Sequence, residues 1–191
     1  MEISNGYHSY TLPHTVTTFK ETTRPDFPQM TLKEGKSESG ILGIGFLRVP
    51  GTDMSYGMSA RYAEDSTEEE PIIRVKVQTA SGPQDYDIHV KDVNPANATE
   101  IEMFALCNYA DDKGKGTGST FGSWQTLNFY RNNAVQNGEF GESNTINDFY
   151  TLGLDWTQMI QNMMKTYREA GIYVQALQGQ SLLAVFKSFT D

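Results

Sequence analysis

Ile72-Ile73-Arg74-Val75-Lys76-Val77-Gln78-Thr79-Ala80-Ser81-Gly82-Pro83-Gln84-Asp85-Tyr86-Asp87-Ile88-His89-Val90-Lys91 is the stretch that decides the fold. Ile73, Val75, Val77 and Thr79 alternate with Arg74, Lys76 and Gln78, and Tyr86, Ile88 and Val90 alternate with Asp85, Asp87, His89 and Lys91. A period of two on both sides of a Gly-Pro turn signal is the mark of a β-hairpin with one apolar face. With Ser81–Gln84 as a four-residue loop, Ala80 faces Asp85, Val77 faces Ile88 and Val75 faces Val90. That register gathers the apolar partners on one face and sets His89 opposite Lys76.

The pattern extends upstream. Ile41–Val49 is apolar on both alternating faces, Leu42, Ile44 and Phe46 against Gly43, Gly45 and Leu47, which predicts a strand covered on both sides. Pro50-Gly51 supplies a turn, and Met54–Tyr62 alternates again with a wetter second face. Between the hairpins Glu64-Asp65-Ser66-Thr67-Glu68-Glu69-Glu70 concentrates carboxylates that repel one another, and it lacks the glycine and alternating ligands of a calcium loop, so it reads as an exposed loop.

Downstream the period becomes helical. Thr99 with Glu102 fits a capping box opening a helix over 98–113 that is apolar round most of its girth. A second helix is predicted over 123–137, a third over 155–170 with Asp155 as its cap, and a short fourth over 180–188. Residues 1–39 are polar, hold Pro13, Pro25 and Pro28 and follow neither period; they read as an extended arm that serves association more than folding. The fold class is therefore α+β: an antiparallel meander of about four strands followed by three to four helices on one sheet face, all within a single domain over 40–191. The expected core holds Ile44, Phe46, Val75, Val77, Ile88, Val90, Phe104, Leu106, Leu127, Trp156, Ile160 and Met163.

The stretch from Tyr86 to Leu106, continued through Phe121-Gly122-Ser123-Trp124 and Leu154-Asp155-Trp156, resembles a group of uncharacterised proteins of anaerobic Gram-positive bacteria. The resemblance implies the same strand-strand-helix order with further helices. It implies no activity and assigns no functional residue.

Charge and composition bound the function. Fifteen Lys and Arg stand against 24 Asp and Glu, a net charge of −9, with no two basic residues adjacent, which argues against nucleic-acid and anionic-lipid partners. One cysteine excludes an internal disulfide and a Cys-rich zinc site. Met1-Glu2 opens a polar stretch and no window approaches a bilayer span, so the expected compartment is cytoplasmic and no membrane partner is expected.

Few residues invite chemistry. Gly114-Lys115-Gly116-Thr117-Gly118-Ser119 has the composition of a phosphate cradle, but its lysine precedes the second glycine, Ser119 stands where a dinucleotide loop needs its third, and the loop joins two helices. Cys107 sits within the most apolar helix and reads as core. Glu100 and Glu102 are accounted for as solvated acids at a helix start, and Asn97-Ala98-Thr99 as the approach to its cap. No catalytic residue, metal ligand or cofactor site is assigned.

The leading expectation is a non-enzymatic, cytoplasmic protein-interaction module whose partner is another protein or a second copy. Its binding candidates are Tyr7, Tyr10 and Phe19 of the arm and the methionine stripe Met159, Met163 and Met164, since methionine-rich faces suit adaptable surfaces. Two alternatives stand beside it. One is a small hydrolase or lyase with a site assembled from His89, Asp111 and Asp112; the other is a carbohydrate-binding module using Trp124, Gln125, Asn128, Tyr130, Asn132 and Asn133, aromatics beside amides.

Overall fold

Four strands follow one another in a single antiparallel sheet of order β1-β2-β3-β4: β1 (Ile41–Arg48), β2 (Ser55–Tyr62), β3 (Ile72–Thr79) and β4 (Gly82–His89). A 3-10 turn (Val90–Asp92) leads to α1 (Glu100–Asp112), α2 (Gly122–Gln136), α3 (Trp156–Glu169) and α4 (Tyr173–Thr190). The computed structural model describes residues 40–48, 55–138 and 152–190. The arm with Tyr7, Tyr10 and Phe19, and the turn at Pro50-Gly51, lie outside the described residues. All described residues belong to one compact unit, and the fold is α+β with a four-strand antiparallel meander followed by four helices.

The β3–β4 hairpin is tighter than its composition suggests. Its loop is two residues, Ala80-Ser81, because Gly82 takes a φ of 113° that lets the chain reverse early. Val75 therefore faces Tyr86 and Ile73 faces Ile88, a displacement of four residues from the expected pairing that leaves every side chain on its expected face. The outer-face charges favour this register: Arg74 donates two bonds of 2.7 Å to Asp87, and Lys76 lies 3.9 Å from Asp85. His89 stands opposite Ile72, and Val90 leaves the strand to be buried in the 3-10 turn.

The apolar sheet face is Leu47, then Tyr56, Met58 and Ala60, then Ile73, Val75 and Val77, all buried. Helix α1 packs directly on it through Phe104 and its neighbours, α2 packs on α1, and α3 and α4 pair with each other and with α2. One expectation for β1 is reversed. Ile44 and Phe46 are 69% and 61% exposed, while Gly43, Gly45 and Leu47 face the helices. A Cβ on Gly45 would stand 2.8 Å from both the Phe104 ring and the Trp124 indole nitrogen, so this edge strand turns its smallest residues toward an edge-to-face aromatic pair whose centroids are 5.2 Å apart. Ile88, on the other edge strand, is half-buried; the remaining expected core residues are buried.

Helix starts follow their capping chemistry. The Thr99 hydroxyl accepts from the Glu102 N–H at 3.2 Å while the Glu102 carboxylate accepts from the Thr99 N–H at 2.6 Å; Asp155 accepts from the Gln158 N–H at 2.8 Å. Helix α4 begins seven residues before its expected start, at Tyr173. Gly179 within it is no break: it is buried, and a Cβ there would collide with Met164 and the Tyr130 hydroxyl, so the glycine lets α4 lie close to α3 and α2.

Candidate functional site

The methionine stripe is core. Met159, Met163 and Met164 are 2%, 1% and 6% exposed, covered as α3 packs between its neighbours, so they offer no binding surface in this chain. That corrects the expectation of an adaptable methionine face: a moment of apolar residues on a helix marks the buried side equally well. Trp124 and Tyr130 are likewise buried, 4% and 0% exposed, which removes both rings from the carbohydrate reading; Asn128, Asn132 and Asn133 are only half-exposed beside them.

Of the residues weighed for hydrolysis, Asp111 and Asp112 each have a separate structural duty, and His89 lies exposed at the end of β4. The Asp111 carboxylate accepts from the Ser123 N–H at 2.8 Å and from its hydroxyl at 2.6 Å, serving as the missing cap at the start of α2, where Phe121 supplies none. The glycine loop is built around that carboxylate. A Cβ on Gly116 would collide with Asp111 and one on Gly122 would come within 2.9 Å of it. The place where a phosphate would meet a helix N-terminus is thus filled by the chain's own anion. Asp112 instead accepts from the Tyr62 hydroxyl at 2.6 Å; burial and this carboxylate push the phenol above its ordinary range. Cys107 is fully buried, and burial together with Asp111 raises its thiol well above the ordinary value, the opposite of a nucleophile. Among the described residues, no group of three His, Cys, Asp or Glu is placed to hold a metal ion.

Glu100 departs from the solvated acid expected at a helix start. It is 3% exposed and its carboxylate lies 2.7 Å from the Arg131 guanidinium, itself buried. Burial pushes its carboxyl up to about 7, with the arginine pulling the other way. The arginine lies thirty-one positions downstream in α2, and no local spacing rule connects the two.

Two grooved surfaces among the described residues bear on binding. The larger is a cleft of about 760 Å³ lined by Glu68, Asp92, Asn94, Tyr109, Lys115 and Phe189 among others. Its cations are engaged within the chain: Lys115 lies 5.2 Å over the Phe189 ring, Lys91 lies 3.6 Å from Glu70, and Lys113 nearby lies 5.5 and 5.6 Å over the Tyr62 and Tyr109 rings. Its lining holds carboxylates, Glu68 and Asp92, and ammonium groups, Lys91 and Lys115, which selects no sign of ligand.

The second is the surface where the start of α2 meets the first half of α4. It is built from two runs without a charged residue, 116–130 and 172–186, in a chain of net charge −9. Phe121 is 80% exposed, Phe129 45%, Val174 66% and Leu177 61%. A groove of about 440 Å³ runs between the helices, with the amides of Gln125, Gln175 and Gln178 beside the two phenylalanines. Val174, Leu177, Gln178 and Ser181 share one face of α4 at i, i+3, i+4 and i+7. The Tyr130 hydroxyl donates to the Gln175 carbonyl and fixes the spacing of the two helices under the groove. Aromatic residues are enriched and charged residues depleted at the centre of protein interfaces. No family model, curated protein or solved structure matches the chain.

Proposed function

We propose that this chain is a non-enzymatic, cytoplasmic protein-interaction module that binds through the uncharged α2–α4 surface. The observation that carries the reading is the exposure of Phe121, Phe129, Val174 and Leu177 on adjacent helices with no charge between them. Apolar area of this kind gains when water leaves it, and the flanking glutamines offer both donors and acceptors to orient a partner. Binding rather than catalysis is favoured because Asp111, Asp112, Glu100 and Cys107 are each committed to a hydrogen bond, an ion pair or the core. The single, buried thiol of Cys107 is compatible with a reducing compartment.

A photo-crosslinking side chain placed at Leu177 in the full chain tests it in cells, with the same group at Lys165, an exposed α3 position, as comparison. Adducts to protein from position 177 and few from position 165 are expected. Equal labelling from both positions, or none from either, would overturn the reading.

A further inference from the structure

We infer that the partner of the α2–α4 surface is a second copy of the same chain, joined about a two-fold axis with each surface covering its counterpart. The inference rests on the interaction-module reading and specifies its occupant.

Charge is the first argument. An acidic chain that bound a basic partner would be expected to present carboxylates at the contact, because complementary potential is what selects such a partner. Among the described residues the two runs that form the contact surface have none, and carboxylates lie elsewhere, as in the exposed loop 64–70. Two molecules of net charge −9 repel, and a contact through the runs 116–130 and 172–186 brings them together without a carboxylate of either run facing its counterpart. The surface therefore suits a neutral counterpart, and its own copy is one.

Self-complementarity is the second argument. A two-fold interface uses one patch twice, so its polar groups must satisfy their own kind. Primary amides do this, each carrying an acceptor oxygen and two donor hydrogens, and Gln125 and Gln178 supply them beside the rings of Phe121 and Phe129. Carboxylates or ammonium groups placed there would meet their own charge instead.

The sheet edge is the rival surface, since Ile44 and Phe46 are exposed on β1. Its outer face is crossed by Arg74, Lys76, Asp85 and Asp87, so a copy laid there would meet charged ladders it must match in register. A standard interface buries roughly 800 Å² per partner, so a patch carried by four exposed apolar side chains and the neighbouring glutamines points to weak association, about micromolar.

Sedimentation of the full chain from about 1 μM to about 200 μM brackets that affinity. A monomer–dimer equilibrium is expected, and it should tighten between about 0.05 M and about 0.5 M NaCl because screening relieves the mutual repulsion, whereas binding between opposite charges weakens. Leu177→Glu and Phe121→Glu should each weaken it by about tenfold or more with the melting temperature kept, and Ile44→Glu should leave it unchanged. A strict monomer at both salt concentrations overturns the inference, as does a dimer weakened by Ile44→Glu and not by Leu177→Glu. If the chain is monomeric yet position 177 crosslinks to a different protein, the second-copy assignment fails and the module reading stands; if it is monomeric and crosslinks to nothing, both fail.

Discussion

Glu100 opens α1, where an acid ordinarily favours the helix dipole from the solvent side, yet it is buried against Arg131 at 2.7 Å and ties the first two helices together. Burying both charges is costly, and removing one partner costs more than the pair is worth. The carboxyl titrates near 7 in the folded chain against an ordinary value of 4.5, because burial penalises its charge more than the arginine compensates. The folded state thus holds the proton more tightly than the unfolded state. This group's contribution to stability is fully present below about 4.5 and is lost as pH rises through about 7. Arg131→Met should therefore destabilise the protein by about 3–5 kcal/mol at alkaline pH and by much less at acid pH, where a neutral carboxyl needs no cation. Denaturant unfolding at several pH values measures this, and a penalty independent of pH would contradict it. Asp87 has the opposite sign: Arg74 holds its carboxyl below the ordinary range, so its contribution is present above that range and fades as acid protonates it.

At the scale of elements, the strands and the caps were legible and the contacts between elements were not. Alternation from Ile73 to Thr79 and the Thr99–Glu102 pair each act within a few residues, where spacing is chemistry. The observed hairpin register differs by four from the one that alternation predicts, because Gly82 permits a tighter turn and because Arg74–Asp87 is a cross-strand pair that alternation alone does not choose. The faces of β1 are the reverse of what side-chain size predicts, because size favours burial only where room exists, and Phe104 with Trp124 leaves none beyond glycine at Gly45. The methionines of α3 were legible as one face but not as a covered one. The glycine loop carried a signal that could have been read: a helix start without its own cap, Phe121, following an aspartate at the end of the previous helix. Asp111→Ala should cost about 1–3 kcal/mol by leaving buried donors of Ser123 unsatisfied, and calorimetry should show it, whereas Asp111→Asn retains part of the stability through its amide oxygen. Equal stability of the alanine variant and the wild type would show that α2 needs no such cap.

For the molecule as a whole, the charge-free segments organise the functional account. Composition shows an acidic chain, but only the packing of α4 beside α2 brings 116–130 and 172–186 together, and the first seven residues of α4 precede its expected start. The buried sides of both helices hold Leu127, Tyr130, Ala176 and Leu182, and Phe121 at the start of α2, Phe129, Tyr173, Val174 and Leu177 are exposed. Hydrogen exchange of the full chain, compared between about 1 μM and about 200 μM, tests whether this surface is where the protein is bound. Slower exchange at high concentration in peptides covering 119–130 and 172–181, with β1–β4 unchanged, is the predicted result; protection confined to the sheet, or no change in any peptide, would contradict it.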